Sequence, residues 1–128
     1  MTTRDAVLVE ASIRARLAAE LPHWTLQDGQ LCRRFRTGGW KATLMVVNVI
    51  GHLAEAGWHH PDLRVSYATV DVALSTHSAG GITGKDLALA RKIEDVVGWR
   101  PQDEPGNPLE GTPQDDPQVL YIRHDSLG

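Results

Sequence analysis

The sequence is poor in most of the features that mark special classes of protein. Cys32 is the single cysteine in 128 residues, so no internal disulfide can form and secretion gains no support. Its thiol reads as a half-buried strand residue rather than a nucleophile. No stretch approaches the roughly 18 apolar residues a membrane span needs. The opening "MTTRDAVLVEASIRARLAAE" mixes charge with apolar residues throughout and does not read as a signal peptide. The expectation is a cytoplasmic protein with no membrane partner.

Charge of one sign is scarce too. Thirteen Lys and Arg face sixteen Asp and Glu, a net of −3 with histidine neutral. No basic run is long enough for a nucleic-acid footprint, so nucleic acid is not an expected partner. Arg33, Arg34 and Arg36 are the densest basic patch and read as a solvated strand face. With 41% hydrophobic and 23% charged residues, the composition is that of an ordinary globular chain and not a disordered one. The length fits one domain with a single modest core.

What is present is a repeated switch between helical and strand periods. Thr2 with Asp5 offers a capping box, and Val9, Ile13, Leu17 and Leu21 then recur at one-turn spacing until Pro22. In "WTLQDGQLCRRF", alternating residues flank Asp28-Gly29, a hairpin signal. Gly38-Gly39 breaks the second strand. From Trp40 a long helix puts Leu44, Val47, Ile50, Gly51 and Ala54 on one stripe, with Gly57 and then Pro61 ending it. A second strand pair follows, with Leu63, Val65 and Tyr67 on one face, a turn near Ala68-Thr69, and Val70, Val72 and Leu74 on the facing strand. After the loop "HSAGGITG", Thr83 starts a third helix that buries Leu87, Ala90, Ile93 and Val97. The expected fold is α+β in the order α-β-β-α-β-β-α: a four-stranded antiparallel sheet with three helices packed on one face.

From Arg100 onward the composition changes. The stretch holds five of the seven prolines and a net charge of −4, from Asp103, Glu104, Glu110, Asp115, Asp116 and Asp125 against Arg100 and Arg123. It reads as an irregular appendage outside the core. Its "QVLYIRH" is strand-like and could join a sheet edge, in the same subunit or in a neighbour.

The histidines carry the chemical signal. His59 and His60 lie where the central helix gives way to the third strand, and His77 lies just past the fourth. In an antiparallel hairpin the start of one strand lies beside the end of the next. The three imidazoles therefore should meet at one end of the sheet, on loops above a rigid scaffold. Imidazole exchanges protons near neutrality. A cluster suits a reaction that removes one proton and supplies another to a leaving group, such as dehydration of an amino-alcohol carbon. No nucleophile motif appears. Glu55 reads equally as a solvated helix-end charge. Asp86 forms [ST]-x-x-[DE] with Thr83, so a helix cap explains it without excluding a second role. His23 and His124 read as surface residues. His52, Glu55 and His59 share a helix face as metal ligands do. Gly57 should unwind the helix before His59, however, so no metal is expected. Trp58 is either a stacking platform for a flat ring or a helix-end anchor.

These residues resemble the signature of the pterin-4a-carbinolamine dehydratases: Glu, three residues, His-His-Pro, five or six residues, an aromatic, nine residues, His, and Asp eight or more residues later. Here it reads Glu55, His59-His60-Pro61, Tyr67, His77 and Asp86. "LSTHSAGGITGKDLALARKIE" resembles the family's second motif, and "LPHW" and "LCRRFR" are also similar. The resemblance implies the same α-β-β-α-β-β-α fold over residues 1–99, with 100–128 as an added acidic, proline-rich tail. It implies a pterin substrate, 4a-hydroxytetrahydropterin, from which water is removed to give quinonoid dihydropterin, with no cofactor. It implies His59, His60 and His77 as catalytic and Glu55 and Asp86 as supporting residues. Trp58, Pro61, Ser75, Thr76 and Ser78 would touch the substrate.

The resemblance also implies a homodimer or homotetramer, and relatives that serve as non-catalytic partners: an assembly chaperone for Rubisco in carboxysomes, or a dimerisation partner of a transcription factor. A protein partner of the tail would fit that alternative. Two departures bear on it. Trp58 stands where many relatives carry a small polar or acidic residue, and a minimal family member has no such tail.

Overall fold

The computed structural model describes residues 6–124. Its first helix, α1 (Glu10–Glu20), turns Ile13, Leu17 and, just past its end, Leu21 into the core. Val9 shares their spacing but is the residue before the helix and is largely exposed. The expected cap at Thr2 and Asp5 lies outside the described residues.

Strands β1 (Thr25–Gln27) and β2 (Gln30–Thr37) pair through a two-residue turn, with Gln27 opposite Gln30. Asp28 and Gly29 both have positive φ, 51° and 75°, which is why Asp-Gly suits this hairpin. Helix α2 (Trp40–Gly57) follows, then β3 (Asp62–Ser66), β4 (Thr69–Leu74) and α3 (Gly84–Val97). The strands lie in the order β1-β2-β4-β3, all antiparallel, and the helices cover one face. Phe35, Leu31, Val70, Val72 and Leu74 meet Ile50, Val46, Ala90 and Ile93 in that interface, each about 1% exposed or less. The expected α+β architecture is the observed one.

Four details differ from expectation. The buried stripe of α2 is Thr43, Val46, Ile50 and Ala54, while Leu44 and Gly51 face outward. The helix is apolar on nearly every side, so spacing alone does not choose its inner face. Thr43 does: its hydroxyl pairs with the Thr37 hydroxyl at 2.7 Å and donates to the Tyr67 carbonyl at 2.9 Å. The β3–β4 turn is Tyr67-Ala68, with Ser66 opposite Thr69, one residue earlier than expected. Because β3 is an edge strand, Val65 and Tyr67 stay largely exposed and Leu63 is the β3 residue that packs against the core.

Arg33 is not part of a solvated face. It points to the helix side, where its guanidinium bonds Glu94 at 2.8 and 3.1 Å and lies 4.3 Å from the centre of the Phe35 ring. Arg34, on the open face, pairs with Asp71. Cys32 shares that open face, and burial, then the charges of Asp28 and Asp71, push its thiol up, so it stays protonated.

The last difference is the tail, whose strand-like end joins a sheet edge as expected but is not outside the core. Ile122–Arg123 forms β5, a fifth strand that pairs with Arg36 and Thr37 along the edge of β2 that the short β1 leaves open. Ile122 belongs to the core and Leu120 and Pro101 are buried, so this segment is not wholly outside it. Gly38 permits the docking. Its N–H donates to the Tyr121 carbonyl at 3.0 Å, and a Cβ there would sit 1.9 Å from the Leu120 carbonyl oxygen. Among the described residues no helix is long and apolar enough to cross a membrane.

Candidate active site

The site begins with the way α2 stops. The His59 N–H reaches back to the Ala54 carbonyl at 3.1 Å, and the Trp58 N–H to Glu55 at 3.3 Å. These are the paired bonds of a Schellman closure, which requires a left-handed residue where Trp58 stands. Trp58 adopts it, with φ 52° and ψ 48°. Sequence spacing assigns the stop to Gly57, but the helix runs through Gly57 and the strained position falls one residue later. A bulky residue there costs about 1–2 kcal/mol that glycine would not. The closure fixes the backbone of His59 and sends it toward α3.

His59 is half-buried, and its Nε2 lies 2.6 Å from Oδ1 of Asp86, which is fully buried. The other oxygen of Asp86 accepts from the Thr76 hydroxyl at 2.7 Å and from the Thr83 N–H at 2.9 Å. Thr83 and Asp86 form the capping box of α3, and the two threonine hydroxyls meet at 2.8 Å. Asp86 thus does both things left open for it: one oxygen starts the helix and the other holds an imidazole. Because a carboxylate only accepts, this bond is donated by His59 from Nε2.

His60 sits outside this network. Its Nε2 lies 2.5 Å from Oε2 of Glu55, both are exposed, and its ring meets that of Trp58 edge to face, centroids 5.0 Å apart. Trp58 is 76% exposed, so its side chain is not packed into the core. His77 opens a single 3-10 turn, His77–Ala79, directly after Thr76, with its side chain exposed. Pro61 and Ser75 are half-buried and Ser78 is exposed. Thr76 is 3% exposed and its hydroxyl is committed to Asp86 and Thr83, so its geometry supports Asp86 rather than an incoming ligand.

His52 is exposed on α2 while His59 turns to Asp86, and among the described residues no three His, Cys, Asp or Glu side chains gather as metal ligands would. A hollow of about 820 Å³ lies on the open face of the sheet among Arg34, Arg36, Arg64 and Asp71, and none of His59, His60 and His77 lines it.

The order of elements defines an α+β protein, and comparison places it in a family. Residues 6–96 match the family model of pterin 4 alpha carbinolamine dehydratase, and the chain belongs to that family. It is 49% identical over 77 residues, 60% of this chain and 78% of the relative, to a protein of Aquifex aeolicus provisionally named pterin-4-alpha-carbinolamine dehydratase. A relative from Chloroflexus aurantiacus with the same provisional name is 43% identical over 91 residues, 71% of this chain and 97% of the relative. The crystal structure of a transcriptional coactivator/pterin dehydratase from Brucella melitensis superposes with a TM-score of 0.64 at 30% identity, over 70% of this chain and 97% of that one. A pterin dehydratase-like protein described as a RuBisCO assembly factor in the alpha-carboxysome shares the fold, with a TM-score of 0.51 at 22% identity over 59% of this chain and 89% of that one.

Proposed function

We propose that this chain is a cytoplasmic, homo-oligomeric 4a-hydroxytetrahydropterin dehydratase that works by histidine acid/base chemistry. The reaction loses the 4a-hydroxyl as water and the N5 proton, and forms the C4a=N5 double bond of quinonoid dihydropterin. Atoms and charge balance with proton transfers alone, so no cofactor enters. The carrying observation is the buried Asp86 bonded to His59 at 2.6 Å. In the neutral ring that bond sets the tautomer, with Nε2 as donor and Nδ1 as the proton acceptor. Glu55 does the same for His60 at 2.5 Å. Together with His77 they supply a group to take the N5 proton and another to protonate the departing hydroxyl. Pro61, Ser75 and Ser78 form the rim on which the ring rests.

The test is the rate of 4a-hydroxytetrahydropterin dehydration by the purified protein beside His59→Ala and His77→Ala. A loss of about 10²-fold or more in each variant, the scale of general acid–base catalysis, is expected. No acceleration by the intact protein would sink the enzyme reading and leave a non-catalytic binding protein on this fold.

A further inference from the structure

Trp58 combines three properties that do not suit a structural residue. It occupies the left-handed position that ends α2, where glycine or asparagine is at ease and a bulky side chain is strained. The only other described non-glycine residue with positive φ is Asp28, inside a hairpin turn that favours it. Its indole is 76% exposed, so burial does not compensate the strain. And the ring is held edge to face against His60, with centroids 5.0 Å apart and planes 83° apart, immediately beside the acid/base pair. Strain kept at the rim of a site without a packing return points to a role in what the site binds.

We infer that Trp58 is a specificity-determining residue that offers its indole as a stacking wall for a flat heteroaromatic ring brought to His59 and His60. The inference rests on the reading of the site as a pterin site and deepens it. A bicyclic pterin presents an extended π face, and stacking on an aromatic side chain tolerates differences in ring substituents. The Schellman bonds fix the direction in which the side chain leaves the backbone. The T-shaped contact with His60 orients the ring beside the histidines. Trp58 takes no part in proton transfer and contributes to binding alone.

The decisive comparison is Trp58→Asn beside Trp58→Phe. Asn relieves the backbone and removes the wall, and Phe keeps the strain and most of the wall. For Trp58→Asn the expected result is a Tm higher by about 3 °C or more together with a KM raised about 10-fold or more at nearly unchanged kcat. Trp58→Phe should restore KM to within about 3-fold of the wild type, with no gain in Tm. A residue that merely caps the helix would move Tm and leave KM alone, and that outcome overturns the inference, as does a KM that Phe fails to restore. Binding of oxidised pterin, read by calorimetry and by the Trp58 indole N–H resonance (assigned by its loss in Trp58→Phe), separates the two levels. If the wild type binds that probe through Trp58 but does not dehydrate, the reaction assignment falls and the wall stands. If it dehydrates normally and Trp58→Asn binds the probe equally well, the wall falls and the reaction stands.

Discussion

Asp86→Asn is the most informative single change in the molecule, because it divides the two duties of one carboxylate. In the wild type, Asp86 accepts from Thr76 and Thr83 on one oxygen and from His59 on the other. Asparagine has one acceptor oxygen. If that oxygen stays on the helix-start side, the cap survives and stability falls by only about 1 kcal/mol. The amide N–H₂ then faces His59, can only donate, and forces the imidazole to carry its proton on Nδ1 instead of Nε2. Asp86→Ala, by contrast, removes every acceptor. Losing the cap and leaving the Thr83 and His59 donors short of a partner sums to about 3 kcal/mol, or a Tm drop of about 10 °C for a chain of this size. The assays are urea denaturation for stability, the dehydration rate, and ¹⁵N shifts of the His59 ring for the tautomer. The expected pattern is a near-wild-type fold in Asp86→Asn, a reversed tautomer, and a rate lower by about 10²-fold or more. A His59 ring still protonated at Nε2 in that variant would refute the tautomer argument whatever the rate did.

Two further outcomes follow from the fold. Burial pushes the Glu94 carboxyl up, but the hydrogen bonds and charge of Arg33, with the Trp24 indole N–H, outweigh it and hold Glu94 below the usual carboxylate range. Its stabilising share is therefore intact above the unfolded value near pH 4.3 and is lost as pH falls through the lower folded value. Acid denaturation followed by circular dichroism should show a shallower loss of stability below about pH 4.3 in Glu94→Gln, and an unchanged slope would contradict the pairing. Gly38→Ala should release β5, since the added Cβ would meet the Leu120 carbonyl at 1.9 Å. Hydrogen exchange should rise at Gly38, whose N–H donates to the Tyr121 carbonyl, and at residues 119–123, while Thr37, β4 and α3 stay protected, and uniform protection would show that the tail docks without that glycine.

How much of this was legible in the sequence can be traced residue by residue. The Asp28-Gly29 hairpin and the inner faces of α1 and α3 follow from local rules, because turn chemistry and one-turn spacing act within a few residues. The inner face of α2 did not, because Thr43 is polar yet buried, satisfied by Thr37 and by the Tyr67 carbonyl 24 residues away. Arg33 escaped for the same reason: its partner Glu94 is 61 residues distant. At the site, Thr83-x-x-Asp86 announced a cap in its spacing. Nothing local announces that the second carboxylate oxygen faces His59, 27 positions earlier. The helix stop was misplaced by one residue because spacing favours the available glycine, and the structure puts a tryptophan in the glycine's usual conformation.

The double use of Asp86 has a consequence for reading relatives of this chain. A descendant that had abandoned the chemistry would still have to begin α3, and Thr83 with Asp86 is how the helix begins. Asp86 is thus a poor witness to activity, since selection for folding alone would retain it. His77 is a better one. It is exposed, and among the described residues no hydrogen bond or ion pair of its side chain helps to hold the chain together. In a lineage free of catalytic duty, nothing in the fold would hold His77 as it holds Asp86, so loss of His77 with Asp86 retained would mark a lost function.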